Sequence, residues 1–248
     1  MIVINLRIYY PVLYRQDVFC EVPEQVKLLL EELKRLEHAQ DERRRYHGEC
    51  LAFIEAVTDL EMELPSLEEI YMKIVIINGS ARKGNTLAAI NAFIKGASEK
   101  NKIEIIEPDK LNIAPCKGCG VCQCSKGCVD KDDTNPTIDK IAAADMILFA
   151  TPVYWWGMSA QLKLIIDKCY CRGLQLKNKK VGTIVVGGSP VDSIQYELID
   201  KQFDCMAKYL SWDMLFKKSY YATARDELEK NKDSMNELEG IGKNLVMT

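Results

Sequence analysis

Histidine is nearly missing from this 248-residue chain: His38 and His47 are the only two, and none follows position 47. Beyond that point a Ser-His-Asp triad and a histidine-ligated metal centre are excluded, because both need an imidazole. No run of 18 apolar residues occurs, so no membrane-spanning helix and no membrane partner are expected. The dinucleotide fingerprint G-x-G-x-x-G is absent as well, so any phosphate bound is expected to be the terminal one of a mononucleotide. With a net charge of −3 there is no positive surplus to attract nucleic acid, and none is expected as a partner. The opening "MIVINLRIYYP" has neither a basic leader nor a small-residue cleavage site, and a cytoplasmic location is expected.

What is present is unevenly distributed. Residues 1–71 hold 8 Lys+Arg against 15 Asp+Glu, a net of −7, which leaves +4 for residues 72–248. Both histidines lie on the acidic side of that break. The two parts are therefore expected to be separate units: a helical N-terminal extension over 1–71 and an α/β domain over 72–248. Of the ten cysteines, five crowd into the thirteen positions 116–128. In a reducing compartment such a cluster points to metal binding or redox chemistry rather than to structural disulfides.

From Met72 onward short apolar runs alternate with longer helical patterns. Strands are predicted at 73–78, 102–106, 146–151 and 181–187, with a weaker fifth at 216–222 that suits an edge. Helices are predicted at 86–99, 136–144, 158–171, 192–210 and 225–246. Strand–helix alternation of this kind gives a doubly wound parallel sheet, and such sheets bind ligands beyond the carboxyl ends of their strands.

Three loops fall on that edge. "NGSARKGNT" (78–86) offers Gly79 and Gly84 for close backbone approach, polar groups on Ser80, Asn85 and Thr86, and charge on Arg82 and Lys83. The following helix adds the free N–H groups and positive dipole end that suit an anion. The plainer reading is an ordinary strand–helix turn. "TPVYWWGMSAQLK" (151–163) places Tyr154, Trp155 and Trp156 where a strand ends and little core is left to fill. Flat rings beside free amides suit a planar heterocycle; the same aromatics would also suit a dimer interface. "VGGSPVD" (186–192), with Gly187 and Gly188, supplies a third small-residue loop.

At these loops the chain resembles the flavodoxin-like NADPH-dependent FMN reductase family, over about residues 72–246. The resemblance implies a five-stranded parallel sheet in the order 2-1-3-4-5. It also implies FMN, with its phosphate on Ser80, Arg82, Lys83, Gly84, Asn85 and Thr86. The ring would lie along Pro152, Val153, Tyr154, Trp155, Trp156 and Gly157, near Gly187 and Gly188. Ala81 stands where the family often has proline. The expected activity is transfer of electrons from NAD(P)H, as co-substrate, through FMN to a small-molecule or protein acceptor. The flavin carries that chemistry, so no side chain is assigned as catalytic acid or base. A homodimer or homotetramer is expected. A non-enzymatic flavodoxin-type electron carrier is the alternative, though the +4 of the flavin domain lacks the acidic docking face of a carrier.

Cys116, Cys119, Cys122 and Cys128 form C-x2-C-x2-C-x5-C, and Gly118, Gly120 and Gly127 let the backbone wrap. Three thiolates at successive x2 spacing suit one face of an iron–sulfur cube, whereas structural zinc more often uses two separated knuckles. The spacing resembles the compact motif of the iron–sulfur flavoproteins, a branch of the same family, which implies a [4Fe–4S] cluster on these four residues. Free thiols are the alternative, and Cys124 is an extra thiol inside the loop. Cys169 and Cys171, two apart on the predicted helix 158–171, diverge too far to bond to each other, and no chemistry is expected there or at Cys205.

Within residues 1–71, Val26, Leu29, Leu30, Leu33 and Leu36 recur at helical spacing. "NLRIYYP", "EVPEQV", "RRRYHGE" and "PSLEEIY" resemble short sigma-factor-like proteins of mobile elements. The DNA-reading segment that follows in that family is absent, as though a fusion occurred at Tyr71/Met72, and no transcriptional role is inferred.

Overall fold

The computed structural model describes residues 71–124 and 127–245, which fall within one compact unit, Pro65–Thr248. The predicted N-terminal helix and the sigma-factor-like segment lie outside the described residues.

Six strands form the sheet: β1 (Met72–Asn78), β2 (Asn101–Ile106), β3 (Met146–Tyr154), β4 (Gly157–Met158), β5 (Lys180–Gly187) and β6 (Asp213–Tyr221). The main path runs β2-β1-β3-β5-β6 with every neighbour parallel. Counting only those five, the order is the expected 2-1-3-4-5. The expected strand number is corrected to six, because β3 runs three residues further than predicted and turns back on itself, with β4 antiparallel to its end. As expected, β6 is an edge, and its half-buried pattern explains its weak apolar signal.

Alternation along each strand feeds two cores. Ile74, Ile76, Leu148, Ala150, Ile184 and Val186 face one layer, with α1 (Asn85–Ala97), the single turn α5 (Glu227–Lys230) and α6 (Lys232–Lys243). Val75, Ile77, Ile147, Phe149 and Val185 face the other, against α2 (Thr134–Ala142), α3 (Ala160–Lys168) and α4 (Ile194–Leu210). A central parallel sheet buried on both faces reads as continuous apolar sequence, and β1, β3 and β5 do. The α1–α6 crossing is so close that a Cβ on Gly96 or Gly242 would collide with the opposing helix backbone.

Two helix predictions change. The helix predicted over 225–246 is broken at Asn231, which is extended and caps α6 by accepting a hydrogen bond from the Ser234 N–H at 3.1 Å. The helix predicted over 158–171 ends at Lys168, and Cys169–Leu176 continues as 3-10 turns. All five parallel strands point their carboxyl ends at the same edge, where the three predicted loops and the cysteine loop lie.

Candidate functional site

The loop after β1 is fixed from beneath. Gly79 N–H donates to the Ala150 carbonyl at 2.7 Å. A Cβ at Gly79 would stand 2.8 Å from Ser159 Oγ and 2.9 Å from the Ala150 carbonyl oxygen, so only glycine fits. Asn78 Oδ1 accepts from Ser80 N–H at 3.1 Å, and buried Ser80 Oγ holds both polar groups of the Arg82 backbone, at 3.2 and 3.3 Å. Ser80 Oγ therefore shapes the loop. Arg82 and Lys83 are exposed, and among the described residues neither side chain makes a hydrogen bond or ion pair.

Helix α1 then begins without a side-chain cap. Gly84 occupies the capping position, and the first turn holds no acidic residue. Ala88 N–H, bonded to the Gly84 carbonyl at 2.9 Å, is the start of the ladder, which leaves first-turn N–H groups and the dipole end for an external acceptor. Thr86 is buried in that first turn. Asn85 departs from expectation. Its Nδ2 donates to the Ala224 carbonyl at 2.6 Å and its Oδ1 accepts from Leu228 N–H at 3.1 Å, so its side chain is spent within the protein.

Opposite this loop stands the aromatic hairpin. Pro152 is buried inside β3 opposite Val186, and Val153 is half-buried opposite Met158, so these two are strand residues rather than loop residues. The turn consists of Trp155 at φ +48° and Trp156 at φ +64°, closed by Tyr154 pairing with Gly157. Two central residues of positive φ belong to the hairpin turns that glycine and asparagine normally occupy. For bulky side chains the left-handed region costs about 1–2 kcal/mol per residue. Burial does not offset that cost, since Trp155 is 91% exposed and Trp156 55%. The two rings meet edge to face at 5.4 Å. Strain retained in order to hold aromatic rings in solvent is a mark of a binding surface.

Ser159 joins the two loops. Its Oγ donates to the Gly79 carbonyl at 2.6 Å, and its N–H donates to Thr151 Oγ1 at 2.9 Å. It also caps α3, accepting from Leu162 N–H at 3.2 Å. Sequence reading missed Asn78, Thr151 and Ser159. The available signal was that polar residues ended otherwise apolar strands.

At the third loop Gly187 is a strand residue with no room for a side chain. It closes β5, and a Cβ there would stand 2.7 Å from the Tyr196 hydroxyl and 2.8 Å from Val153 Cγ2. The glycine makes room for Tyr196, whose hydroxyl donates to the Ser189 carbonyl at 2.8 Å and whose pKa burial pushes up. Gly188 is exposed on the sheet edge.

The cysteine loop leaves β2 and returns to α2 through a closed neck. Asn112 and Asp133 exchange two hydrogen bonds, at 2.8 and 3.0 Å, and Asp132 accepts from Ala114 N–H at 2.9 Å. Beyond the neck, Gly118 and Gly120 adopt φ of +64° and +73° with nothing within 4 Å of a Cβ. Cys116, Cys119 and Cys124 are exposed, and Cys122 and Cys128 are half-buried. Asn135 pins Cys128 through both of its backbone groups, at 2.9 and 2.8 Å. Lys168, only 2% exposed, places its Nζ 3.6 Å from Cys128 Sγ and 2.7 Å from Asp130 Oδ2. Burial opposes the Lys168 charge, but its hydrogen bond to Asp130 and the surrounding negative charge outweigh it and raise its pKa. Among the described residues no three His, Cys, Asp or Glu side chains converge on a point where a metal would sit. The donor chemistry and spacing suit a cluster; the arrangement of the thiols does not.

Cys169 and Cys171 lie in 3-10 turns rather than in the predicted α-helix. Burial pushes the Cys169 thiol up to about 12, which removes it as a nucleophile near neutral pH. The Cys171 thiol is also raised, chiefly by burial. Among the described residues no helix is long and apolar enough to cross a membrane.

Residues 72–206 match the family model described as NADPH-dependent FMN reductase. An iron-sulfur flavoprotein of Methanosarcina thermophila is 38% identical over 123 residues, 48% of this chain and 64% of that protein. One from Methanocaldococcus jannaschii is 35% identical over 122 residues, 48% of this chain and 63% of that protein. The chain thus spans less than two-thirds of the length of these relatives. The NAD(P)H:quinone oxidoreductase of Methanothermobacter marburgensis superposes with a TM-score of 0.55 over 70% of this chain and 96% of its own, at 14% identity, a likeness of fold.

Proposed function

We propose, from the fact that the chain belongs to the NADPH-dependent FMN reductase family, that it is an FMN-dependent oxidoreductase passing electrons from NAD(P)H to a second acceptor. One observation carries the reading. An uncapped helix N-terminus with Arg82 and Lys83, unpaired among the described residues, stands on the same sheet edge as a strained, solvent-exposed tryptophan pair. Ser159 ties the two together. A phosphate fits the first feature and an isoalloxazine ring the second, and a mononucleotide flavin joins both in one molecule.

When bound, FMN would supply the hydride and electron chemistry. The chain's own residues bind and orient. First-turn N–H groups of α1, Arg82 and Lys83 hold the phosphate, and Ser80 and Asn78 keep that loop in shape. Tyr154, Trp155 and Trp156 present ring faces and exclude water from one side of the flavin. Sheet-edge loops of this kind bury no general acid or base, and hydride transfer to a flavin needs none. The same reading takes the protein as a cytoplasmic homodimer or homotetramer, a proposal supported by exposed tryptophans that would suit contact with a second copy.

The four-cysteine spacing and the names of the relatives support a [4Fe–4S] cluster on Cys116, Cys119, Cys122 and Cys128. Anaerobically purified protein is expected to contain about four irons per chain if the loop gathers, and to lose them in Cys119→Ser while FMN stays bound. Flavin without iron or acid-labile sulfide would leave the loop as a set of free thiols.

The deciding experiment is an absorbance spectrum of the purified full chain, followed by steady-state oxidation of NADPH and of NADH. Flavin bands with turnover are expected. Flavin without turnover would return the electron-carrier reading, and failure to bind FMN would sink the assignment.

A further inference from the structure

The phosphate loop is held in place by a segment beyond the family match. After β6 ends at Tyr221, the chain turns through residues 222–226 into α5, and this turn lies on the loop that opens α1. Asn85 bonds to Ala224 and Leu228 across it. Arg225 Nε donates to the Lys83 carbonyl at 3.0 Å, and a Cβ on Gly84 would come within 3.2 Å of the Arg225 carbonyl oxygen. Glu227 folds the turn itself. One of its oxygens accepts from Thr223 N–H at 2.6 Å, Ala224 N–H at 2.9 Å and the Thr223 hydroxyl at 3.0 Å. Asp226 pairs with Lys230 at 2.7 Å.

The carboxylates next to Arg225 in sequence thus have their hydrogen bonds elsewhere: the Lys230 hydrogen bond is the chief cause that holds the Asp226 carboxyl below its usual range, and the Arg225 charge contributes less. Arg225 is exposed, and among the described residues its two Nη atoms make no hydrogen bond or ion pair. Much of the surface lysine, by contrast, is ion-paired: Lys110, Lys140, Lys163, Lys201, Lys217 and Lys218 each have a carboxylate partner. Among the described residues, three cations that make no ion pair, Arg82, Lys83 and Arg225, lie beside one uncapped helix N-terminus.

We propose that Arg225 is a third cation of the anion site and contacts the FMN phosphate, oriented by its Nε bond to Lys83. Arginine suits this part because one nitrogen can be spent on the protein while the planar fork still offers two further donor groups to a phosphate. The proposal rests on the FMN reading and adds to it a residue 139 positions beyond the phosphate loop's last residue, Thr86. A plain strut would also bond to Lys83, so the test must separate charge at the phosphate from support of the loop.

FMN and riboflavin, which lacks the phosphate, are titrated by flavin fluorescence into the full-length wild type, Arg225→Gln and Arg225→Lys at low and high salt. Arg225→Gln is expected to weaken FMN about tenfold to a hundredfold, the loss of one charge-assisted hydrogen bond. Riboflavin affinity should stay within about twofold, and the salt dependence of FMN binding should flatten. Arg225→Lys should recover part of the loss, and it provides a second variant if Arg225→Gln folds poorly. Unchanged FMN affinity, or equal losses for FMN and riboflavin, would overturn the proposal. Wild type that binds riboflavin and FMN equally would overturn the phosphate site, and with it this proposal; wild type that binds neither would overturn the flavin reading itself.

Discussion

The phosphate loop and the cysteine loop both leave the carboxyl edge of the sheet, and both are rich in glycine, yet they use it in opposite ways. Gly79 is forced by crowding, since a Cβ would strike Ser159, Ala150 and Leu162. Gly118 and Gly120 are set by backbone conformation, with open space around them. The first loop is bonded to its neighbours at Asn78, Ala150, Ser159, Ala224 and Arg225. The second is fixed at its neck and at Cys128, and between them only by side chains at its surface: Gln123 donates to the Tyr170 hydroxyl and Lys117 pairs with Asp130 at 3.6 Å. A loop whose backbone is held by packed neighbours is preorganised for its ligand; one tied along its length mainly by exposed side chains has more to order when it binds.

The sharpest way to break that contrast is a matched pair of alanines. Gly79→Ala forces backbone to move in a packed site, an overpacking cost of about 1–3 kcal/mol, and FMN binding should be lost. Gly118→Ala pays only for its left-handed conformation, about 1 kcal/mol, and FMN affinity should not change. Isothermal titration with FMN reads both, and equal effects would remove the distinction. Next in size is Ser80→Ala/Thr86→Ala. Ser80→Ala frees the loop that its hydroxyl shapes and Thr86→Ala removes one hydroxyl from the first turn of α1, where a hydrogen bond to a charged group contributes about 1.5–3 kcal/mol, so FMN affinity should fall about tenfold to a hundredfold; retention of flavin through gel filtration would argue against the loop.

Trp155→Gly sharpens the comparison from the other side of the site. The turn loses its left-handed strain, so the melting temperature should hold or rise. Loss of the aromatic face, worth about 0.5–1.5 kcal/mol beyond area, should weaken FMN up to about tenfold. A fall in melting temperature with unchanged affinity would make the tryptophan structural.

Glu227→Gln should give a smaller effect with a defined pH window. Hydrogen bonds from Ala224 and Thr223 hold the Glu227 carboxyl below the usual range near 4.5. Its folded pKa is depressed, so its contribution is fully present above about 4.5 and lost as pH falls through the lower folded value. The melting-temperature difference between wild type and variant should therefore be constant from neutral pH to about 5 and close only in stronger acid. A difference that disappears near pH 6 would assign the effect to another group. Smallest of all, a chain beginning at Met72 should bind FMN and oxidise NAD(P)H like the full chain; loss of flavin would make residues 1–71 part of the working unit.

Much of this was legible because strand and helix periodicity is a local property. The apolar runs at 73–78, 102–106 and 181–187 place β1, β2 and β5 within a residue of their ends. The glycine and hydroxyl pattern of 78–86 raised the expectation of an anion site, which remains a proposal. The end of β3 was read too early because Pro152 suggests a break, whereas a proline at the strand's carboxyl end gives up only an N–H that the ladder no longer needs. The roles of individual polar side chains were beyond sequence reading. Asn85 looked like a ligand residue until the turn at 224–228 was found to occupy both ends of its amide.

The sequence by itself determined the alternation of strand and helix, the parallel sheet that follows from it, and the edge on which the glycine-rich, aromatic and cysteine loops must lie. Which side chains meet across that edge was decided by tertiary structure alone. Arg225 reaches Lys83 over 142 positions of chain and Ser159 reaches Gly79 over 80. No local pattern encodes such contacts, because they exist only once helices have packed on both faces of the sheet and brought the ends of distant strands within hydrogen-bonding reach.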